Sequence, residues 1–542
     1  MVTMSTSPGS TVPASSLPAY LRNASPIPME KRAPWYTNTA PTYAGIFLWI
    51  AFYAQLGIGL TLGSLLAVLV GVVIAGLICH AFFYYVPGML GMRTGLPLYI
   101  VGTSTFGTKG GYFIPGIFMG LLQIGWYSVA TYFATDLIIN GLGLPGEVFY
   151  PMAIVWGLLF ALIGALGIGY VAKMSQFFPI VPIIMLLIGA VMAVPYLGSY
   201  ETPKPLPDEF TSGPMDMGWV SIASLLMIQL IIGFFGTAGA VGADFCSNNR
   251  NKYDVRMGGI VGIWLAVVYT AGLAIITVAG AHGANKELLQ GWHAVKNPDG
   301  SVKYEVRVEP PEIRLPASGD SKDGKVVAWD AMSPGEKNEV RAVRAKMFEY
   351  GTALKSLNTS KGPDGKPVEN FLARAMLILF AIGSMAPACF CSFIIGNSLS
   401  TMLAMPRGRI PITLAGAAVG IGIALTGFPA KLAPIFGLVG ASFGPVIGAM
   451  IADYYLKGAN WPGPREGWNW AGYGAWLLGF LVGISNNGLV TDALGFELVP
   501  SWMPTGVFSL IVGLLAYILL ARTIGLPPIL EGAVKTIGPN EA

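Results

Sequence analysis

The stretch WVSIASLLMIQLIIGFFGTAGAVGAD (219–244) decides how this chain folds. It is apolar and long enough for a helix to cross a bilayer, which takes about 20 residues. Yet it carries Gln229, a paired Phe234 and Phe235, four glycines (Gly233, Gly236, Gly239, Gly242) and a closing Asp244. A helix that only anchors a protein has no use for these features. Glycine costs roughly 1 kcal/mol relative to alanine inside a helix, and freed backbone groups at membrane depth must be satisfied by protein or a wet cavity. Glycine-interrupted helices near mid-membrane are how many secondary transporters build a substrate site. The stretch predicts a carrier.

The rest of the chain agrees. Its 542 residues are 54% hydrophobic and 11% charged, with mean hydropathy +0.62, where a soluble domain carries about 25% charged residues. Twelve candidate spans are read at 44–63, 64–86, 112–138, 150–171, 176–197, 217–243, 258–280, 371–396, 410–427, 432–455, 468–487 and 504–522. The N-terminal tail and the inner loops carry Arg22, Arg32, Arg93, Lys173, Arg250, Arg256, Arg409 and Lys457 among others, whereas the short outer loops hold only Lys204 and Lys431. That asymmetry places both ends in the cytoplasm, because short loops rich in Lys and Arg stay inside. The net charge of +4 is then topology. No basic cluster with interleaved aromatics marks a nucleic-acid partner.

The first ~40 residues are polar and lack the apolar core of a cleaved signal peptide; they read as a cytoplasmic tail. Cys79, Cys246, Cys389 and Cys391 form neither a disulfide framework nor a zinc-like set and read as core-filling residues. His80, followed by Phe82, Phe83, Tyr84 and Tyr85, reads as a packing residue. Residues 281–370 are charge-dense and Pro/Gly-punctuated, an extracellular insertion. Within it 301–310 alternates as a strand does, and 334–357 has the pattern of one amphipathic helix.

Span 1, GIFLWIAFYAQLGIGLTLG (45–63), also has an interrupted middle, with Gln55, Gly57 and Gly59. It opens the first five spans as span 6 opens the next five. A repeat of odd length must be inverted. Two interrupted helices in matching positions point to a binding site; the plainer reading is that glycine lets helices pack closely. Span 3, GYFIPGIFMGLLQIGWYSVATYFATDLI (111–138), places Gln123 and Trp126 three apart, on one helix face. A planar heteroaromatic ligand needs hydrogen bonds at its edge and π-surfaces on its faces. Gln supplies donor and acceptor, and Trp a broad stacking platform. Such a pair alone is also common in helix packing. Phe234 and Phe235 on the other interrupted helix turn it toward a ligand.

The chain resembles the nucleobase–cation symporters, the permeases for cytosine/purines, uracil, thiamine and allantoin. RAPWYTNTAPTYAGIFLW (32–49) is similar to their entry into helix 1, and Gln123-Ile-Gly-Trp126-Tyr to the Q-x-G-W-F pattern of cytosine permeases. GAVGADFCSNNRNKYDV (239–255) resembles the end of their helix 6, with Ala243 where Pro is usual, and FGLVGASFGPVIGAMIADYYLKG (436–458) their helix 10. The resemblance implies an all-α membrane protein with a leucine-transporter-like 5+5 inverted repeat, broken helices 1 and 6, and two further helices. Residue by residue it implies that Gln123 bonds the ligand, that Trp126 and Phe235 stack on its two faces beside Phe234, and that Gln55 borders the site. It also implies a cation held by backbone around Ala54 and Gly57 together with Ala381 and Ser384. In AIGSMAPACFCS (381–392) Met385 replaces the second hydroxyl expected there, and Ala388 falls near the expected Asn. A thioether is a poor ligand for a hard cation, so sodium coupling is expected to be weak.

Asp136 and Asp453 lie at span ends and read as structural, and Asp244 is expected to pair with Arg250 nearby. The expected layout is a tail (1–43), a first five-helix repeat (44–197), a second repeat region (217–427) interrupted by the insertion, its fifth helix running to 455, two accessory helices (468–523) and a tail (524–542). The function read here is symport of a nucleobase or related heterocycle across the cell membrane, coupled to Na+ or H+, by a monomeric unit among lipids. No cofactor, metal or catalytic group is expected. The alternatives are a non-transporting nutrient sensor and an integral-membrane enzyme.

Overall fold

The computed structural model describes residues 17–167, 170, 180–207, 221–296, 301–316, 325–361, 367–369, 371–494, 499–500, 502–532 and 534. The expected tails before 17 and beyond 534, the starts of the spans at 176–197 and 217–243, and parts of the insertion lie outside them.

Helices dominate. Helix α1 (Thr39–Phe47) and α2 (Ile50–Thr61) meet at 55°. There follow α3 (Leu65–Thr94), α4 (Thr103–Leu142), α5 (Gly146–Leu166), α6 (Ile180–Ser199), α7 (Ile222–Ala240) and α8 (Lys252–Ala284). After the insertion come α11 (Arg374–Met402), α12 (Arg409–Leu425), α13 (Pro434–Leu456), α14 (Trp470–Gly483) and α15 (Thr505–Thr523). Among the described residues, nine helices are long and apolar enough to cross a membrane, or ten with the bent pair, and α12 and α14 are shorter apolar helices. Each expected span overlaps one of these, though several helices run beyond the expected bounds, α3 to Thr94 and α4 from Thr103 to Leu142. Local sequence explains their ends: the Ser64 hydroxyl caps α3 by accepting from the Ala67 N–H at 3.2 Å, and Gly95 and Gly143 take the left-handed conformation that stops α3 and α4. Leu158, Leu162, Ile184 and Leu187 leave α5 and α6 apolar on their outward faces, as lipid-facing helices require.

The first interruption lies away from the glycines, and the second falls beside only the last of them, Gly242. In the first, Leu48 ends α1 and Trp49 is extended (φ −72°, ψ 127°). The glycines of 45–63 lie further on, where the chain tightens into a 3-10 turn after Gln55. In the second, α7 runs unbroken through Gly233, Gly236 and Gly239 and yields only at Val241, before a short helix Gly242–Cys246. The middle glycines serve close approach instead. A Cβ at Gly233 would come within 2.6 Å of the Phe436 carbonyl, and one at Gly239 within 2.9 Å of the Phe83 carbonyl.

The insertion folds. Strands β1 (His293–Lys296), β2 (Val302–Arg307), β3 (Glu312–Arg314) and β4 (Val326–Ala328) form an antiparallel meander, and β5 (Thr359–Lys361) pairs with β6 (Pro367–Glu369). Tyr304, Val306, Ile313, Trp329 and Val340 make its small core with Leu206. The single helix expected over 334–357 is two, α9 (Pro334–Met347) and α10 (Tyr350–Leu357). Glu349 is extended between them, and this elbow reaches the membrane helices. The buried Arg344 donates to the carbonyls of Thr61 (3.4 Å) and Lys204 (2.9 Å). Phe348 stacks on His282 at 4.2 Å, and its carbonyl fills the space beside Gly57.

Two acidic residues have partners that close the fold. Arg250 pairs with Asp254 at 2.8 Å and not with Asp244, whose carboxylate accepts from the Leu98 N–H at 3.2 Å; Asp254 sits on the first turn of α8, and Arg250 reaches it from just ahead of that helix. Asp453 pairs with the buried Arg465 at 2.9 Å and accepts from the Tyr517 hydroxyl.

Candidate functional site

The α1–α2 joint meets α4 and α7 at a cluster of rings. Trp126 lies edge-on to Phe234 (5.1 Å, 71°) and Trp49 (5.7 Å, 67°), and 5.8 Å from Phe436. Phe52 touches Phe234 at 4.8 Å. The Trp126 indole N–H is spent on the Thr237 hydroxyl at 3.1 Å, so this ring offers faces and no donor. Phe235 points elsewhere, stacked on Phe47 (5.6 Å, 16°) and beside Tyr43. Neighbours on a helix diverge by about 100°, so the paired phenylalanines cannot both face Trp126; Phe234 is the one that does. Trp126 and Phe234 touch. A ring held between two faces needs them roughly 7 Å apart, twice a carbon–carbon contact.

The expected polar residues fall into two sets. Gln123, buried on α4, has one described partner, the Met119 sulfur at 3.7 Å from its Nε2. Gln229 is fully engaged, accepting from the Gly506 N–H (3.1 Å) and donating to Thr505 (3.3 Å). Gln55 donates to the Ala430 carbonyl at 3.1 Å and faces the Glu349 carboxylate of the insertion, away from the ring cluster.

Of the four positions proposed for a cation, three carry an oxygen that is already engaged, those of Ala54, Ala381 and Ser384. The Ala54 carbonyl accepts from the Tyr350 N–H at 2.9 Å. The Phe348 carbonyl lies against Gly57. The Ala381 carbonyl accepts from the Ser384 N–H (3.1 Å), and the Ser384 hydroxyl donates to the Phe380 carbonyl (3.1 Å). Tyr350 joins the two helices, edge-on to both Tyr53 (5.3 Å) and Phe380 (5.5 Å). No cluster of three or more His, Cys, Asp or Glu suited to a metal occurs among the described residues.

The sequence reading missed Trp49, Phe52, Phe436 and the elbow at 348–350. Trp49 and Phe52 stood in the quoted span 1, where attention went to its glycines. Nothing local foretells that an elbow from 281–370 docks on that span.

The model of the family "permease for cytosine/purines, uracil, thiamine, allantoin" matches residues 26–295. Cytosine permeases of Escherichia coli strains K12 and O157:H7 are each 26% identical over 266 residues, 48% of this chain and 57% of theirs. The chain thus matches little more than half the length of these relatives. Among solved structures, the nucleobase-cation-symport-1 family transporter Mhp1 is similar in a closed form with bromovinylhydantoin bound (TM-score 0.55, 14% identity, covering 94% of this chain and 97% of that one). Its inward-facing form is similar too (TM-score 0.57, 15% identity, 95% and 98%). A Na+-coupled sialic acid symporter in an outward-open state follows (TM-score 0.51, 13% identity, 93% and 92%). The sequence match ends before the insertion's sheet is complete, whereas the likeness of fold runs nearly end to end.

Proposed function

We propose that this chain, which matches the family of permeases for cytosine/purines, uracil, thiamine and allantoin over residues 26–295 and Mhp1 in fold, carries a nucleobase or related small heterocycle across the cell membrane by alternating access, coupled to a cation. The observation that carries this reading is the Gln123 amide, buried one helical turn from Trp126 with a thioether as its one described partner, while the Trp126 ring lies against Phe234. An amide at membrane depth is costly unless paired. A planar ligand edge supplies what the thioether does not, and the adjoining rings supply its faces. Twelve crossings, cytoplasmic ends and a monomeric transport unit complete the proposal. The coupling ion we favour is the proton, because Met385 replaces a hydroxyl and the Ala54 carbonyl is already bonded.

Proteoliposomes test it directly. Labelled cytosine, hypoxanthine, uracil and hydantoin are offered with an imposed proton or sodium gradient. Gradient-driven accumulation of one of them is expected. Binding without flux would favour a sensor, and chemical conversion of the label an enzyme.

A further inference from the structure

Trp49 occupies an unusual position. It is the extended residue at the joint between α1 and α2, its side chain is 3% exposed, and its indole Nε1 has no hydrogen-bond partner. Its ring lies against Trp126 and Phe234 at 5.7 and 6.2 Å. Among the described residues the other indole N–H groups buried without a partner, those of Trp156, Trp264 and Trp502, belong to side chains that are only partly buried. Of these four, Trp49 alone is a buried residue. A buried N–H without an acceptor is costly, and indoles in protein interiors usually find a partner.

We propose that Trp49 is a specificity-determining residue whose indole N–H donates to an exocyclic oxygen of the transported ring, so that the site selects planar oxo-heterocycles. The proposal rests on the heterocycle-carrier reading above and names the chemistry of its ligand. The division of labour follows from the neighbours. Trp126 has given its N–H to Thr237 and can only stack. Gln123 offers donor and acceptor to one edge of the ligand. Trp49 offers a donor and nothing else, so the atom opposite it must be an acceptor. A ring nitrogen would bring two bulky ring perimeters into contact. A carbonyl oxygen stands about 1.2 Å outside its ring and reaches the indole N–H without that crowding. A site with a committed donor discriminates strongly against analogues that lack the matching acceptor.

The test uses two matched pairs of probes, cytosine with 4-aminopyrimidine and hypoxanthine with purine, each second member lacking the exocyclic oxygen. Equilibrium binding to the purified full-length protein is measured. Wild type is expected to prefer the oxo member of a pair by about tenfold or more, 1.4 kcal/mol per factor of ten. Trp49→Phe keeps an aromatic ring, removes the N–H, and is expected to erase that preference by weakening the oxo compound alone. An undiminished preference in a folded Trp49→Phe protein overturns the assignment. Should that variant fail to fold, wild type and Gln123→Leu decide: equal affinity within each pair overturns the proposal, and so does a preference that vanishes in Gln123→Leu. If none of the four probes, and neither uracil nor hydantoin, binds wild type, the carrier reading itself falls, and this inference with it.

Discussion

The backbone N–H of Tyr350 donates to the carbonyl of Ala54 at 2.9 Å, which joins the elbow of the insertion to the helix that forms one wall of the ring cluster. Around that bond, Arg344 caps the Thr61 carbonyl and Phe348 lies flat on His282. The insertion holds α2 by its backbone. Phe348 is fully buried, and truncating such a ring costs on the order of 3 kcal/mol. Phe348→Ala is therefore expected to raise hydrogen exchange across Ile50–Thr61 and to leave that of α14 unchanged. Equal exchange in both proteins would show that the elbow only rests on α2.

The elbow's hold is expected to depend on pH. Burial pushes the Glu349 carboxyl up to about 7, with Lys346 and the Gln55 amide opposing and Asp136 adding to the rise. A carboxyl whose docked value exceeds its free value, 4.5, favours docking when protonated. That contribution is complete below about 4.5 and is lost as pH rises through about 7. Exchange at 344–357 should accelerate between pH 6 and 8 beyond its intrinsic rate. Glu349→Gln, uncharged throughout, should flatten the excess; an unchanged pH profile in the variant would assign the effect to another group.

Phe234 and Phe235 are expected to behave differently despite adjacency. Phe234→Ala removes a wall shared with Trp126 and should weaken heterocycle binding by ~1–3 kcal/mol, the worth of one aromatic stack. Phe235→Ala opens a hole against Phe47 and Tyr43 and should lower thermal stability with affinity retained. The reverse pattern, read by ligand binding and melting of both variants, would move the ligand to the other side of α7.

Gln123→Leu should cost about 1–3 kcal/mol of affinity for ligands carrying a donor–acceptor edge. Analogues methylated on that edge should bind wild type and variant alike. Discrimination that survives the substitution would make Gln123 a packing residue.

Uptake in sodium-free buffer is expected to persist, and Met385→Thr is expected to add sodium stimulation by restoring a hard oxygen donor next to Ser384. Strong sodium stimulation of wild type, unaffected by Ser384→Ala, would refute both weak coupling and the placement of Ser384 at the ion.

The helical, membrane-crossing character was legible because it rests on length and hydropathy, which are local properties. Gln123 and Trp126 were legible as a shared face because α-helical spacing is rigid. The joints were not. Glycine marked them in the sequence, yet Gly233 and Gly239 are consumed by backbone contacts with neighbouring helices, while Leu48 and Trp49 bend under packing that no local pattern encodes. The cysteines behaved as their setting suggested, all four buried and unpaired. The break of 334–357 at Glu349 answers to a tertiary demand, since the elbow must meet Ala54 and His282 at once.

The glycines of α7 have a mechanical consequence. Gly233 abuts the Phe436 backbone and Gly440, Gly236 abuts the Val439 carbonyl, and Gly440 also comes close to Gly506. Where backbones interlock with no side chains between them, neither sliding nor rolling has room. Helices α7, α13 and α15 therefore travel as one raft, with Gln229 pinning it at Gly506. Motion is left to the places where helix geometry already lapses, Trp49, Val241 and Ser384. Phe234 and Phe436 ride on that raft while Trp49 stands at the joint, so rocking of one against the other would part rings that lie together here.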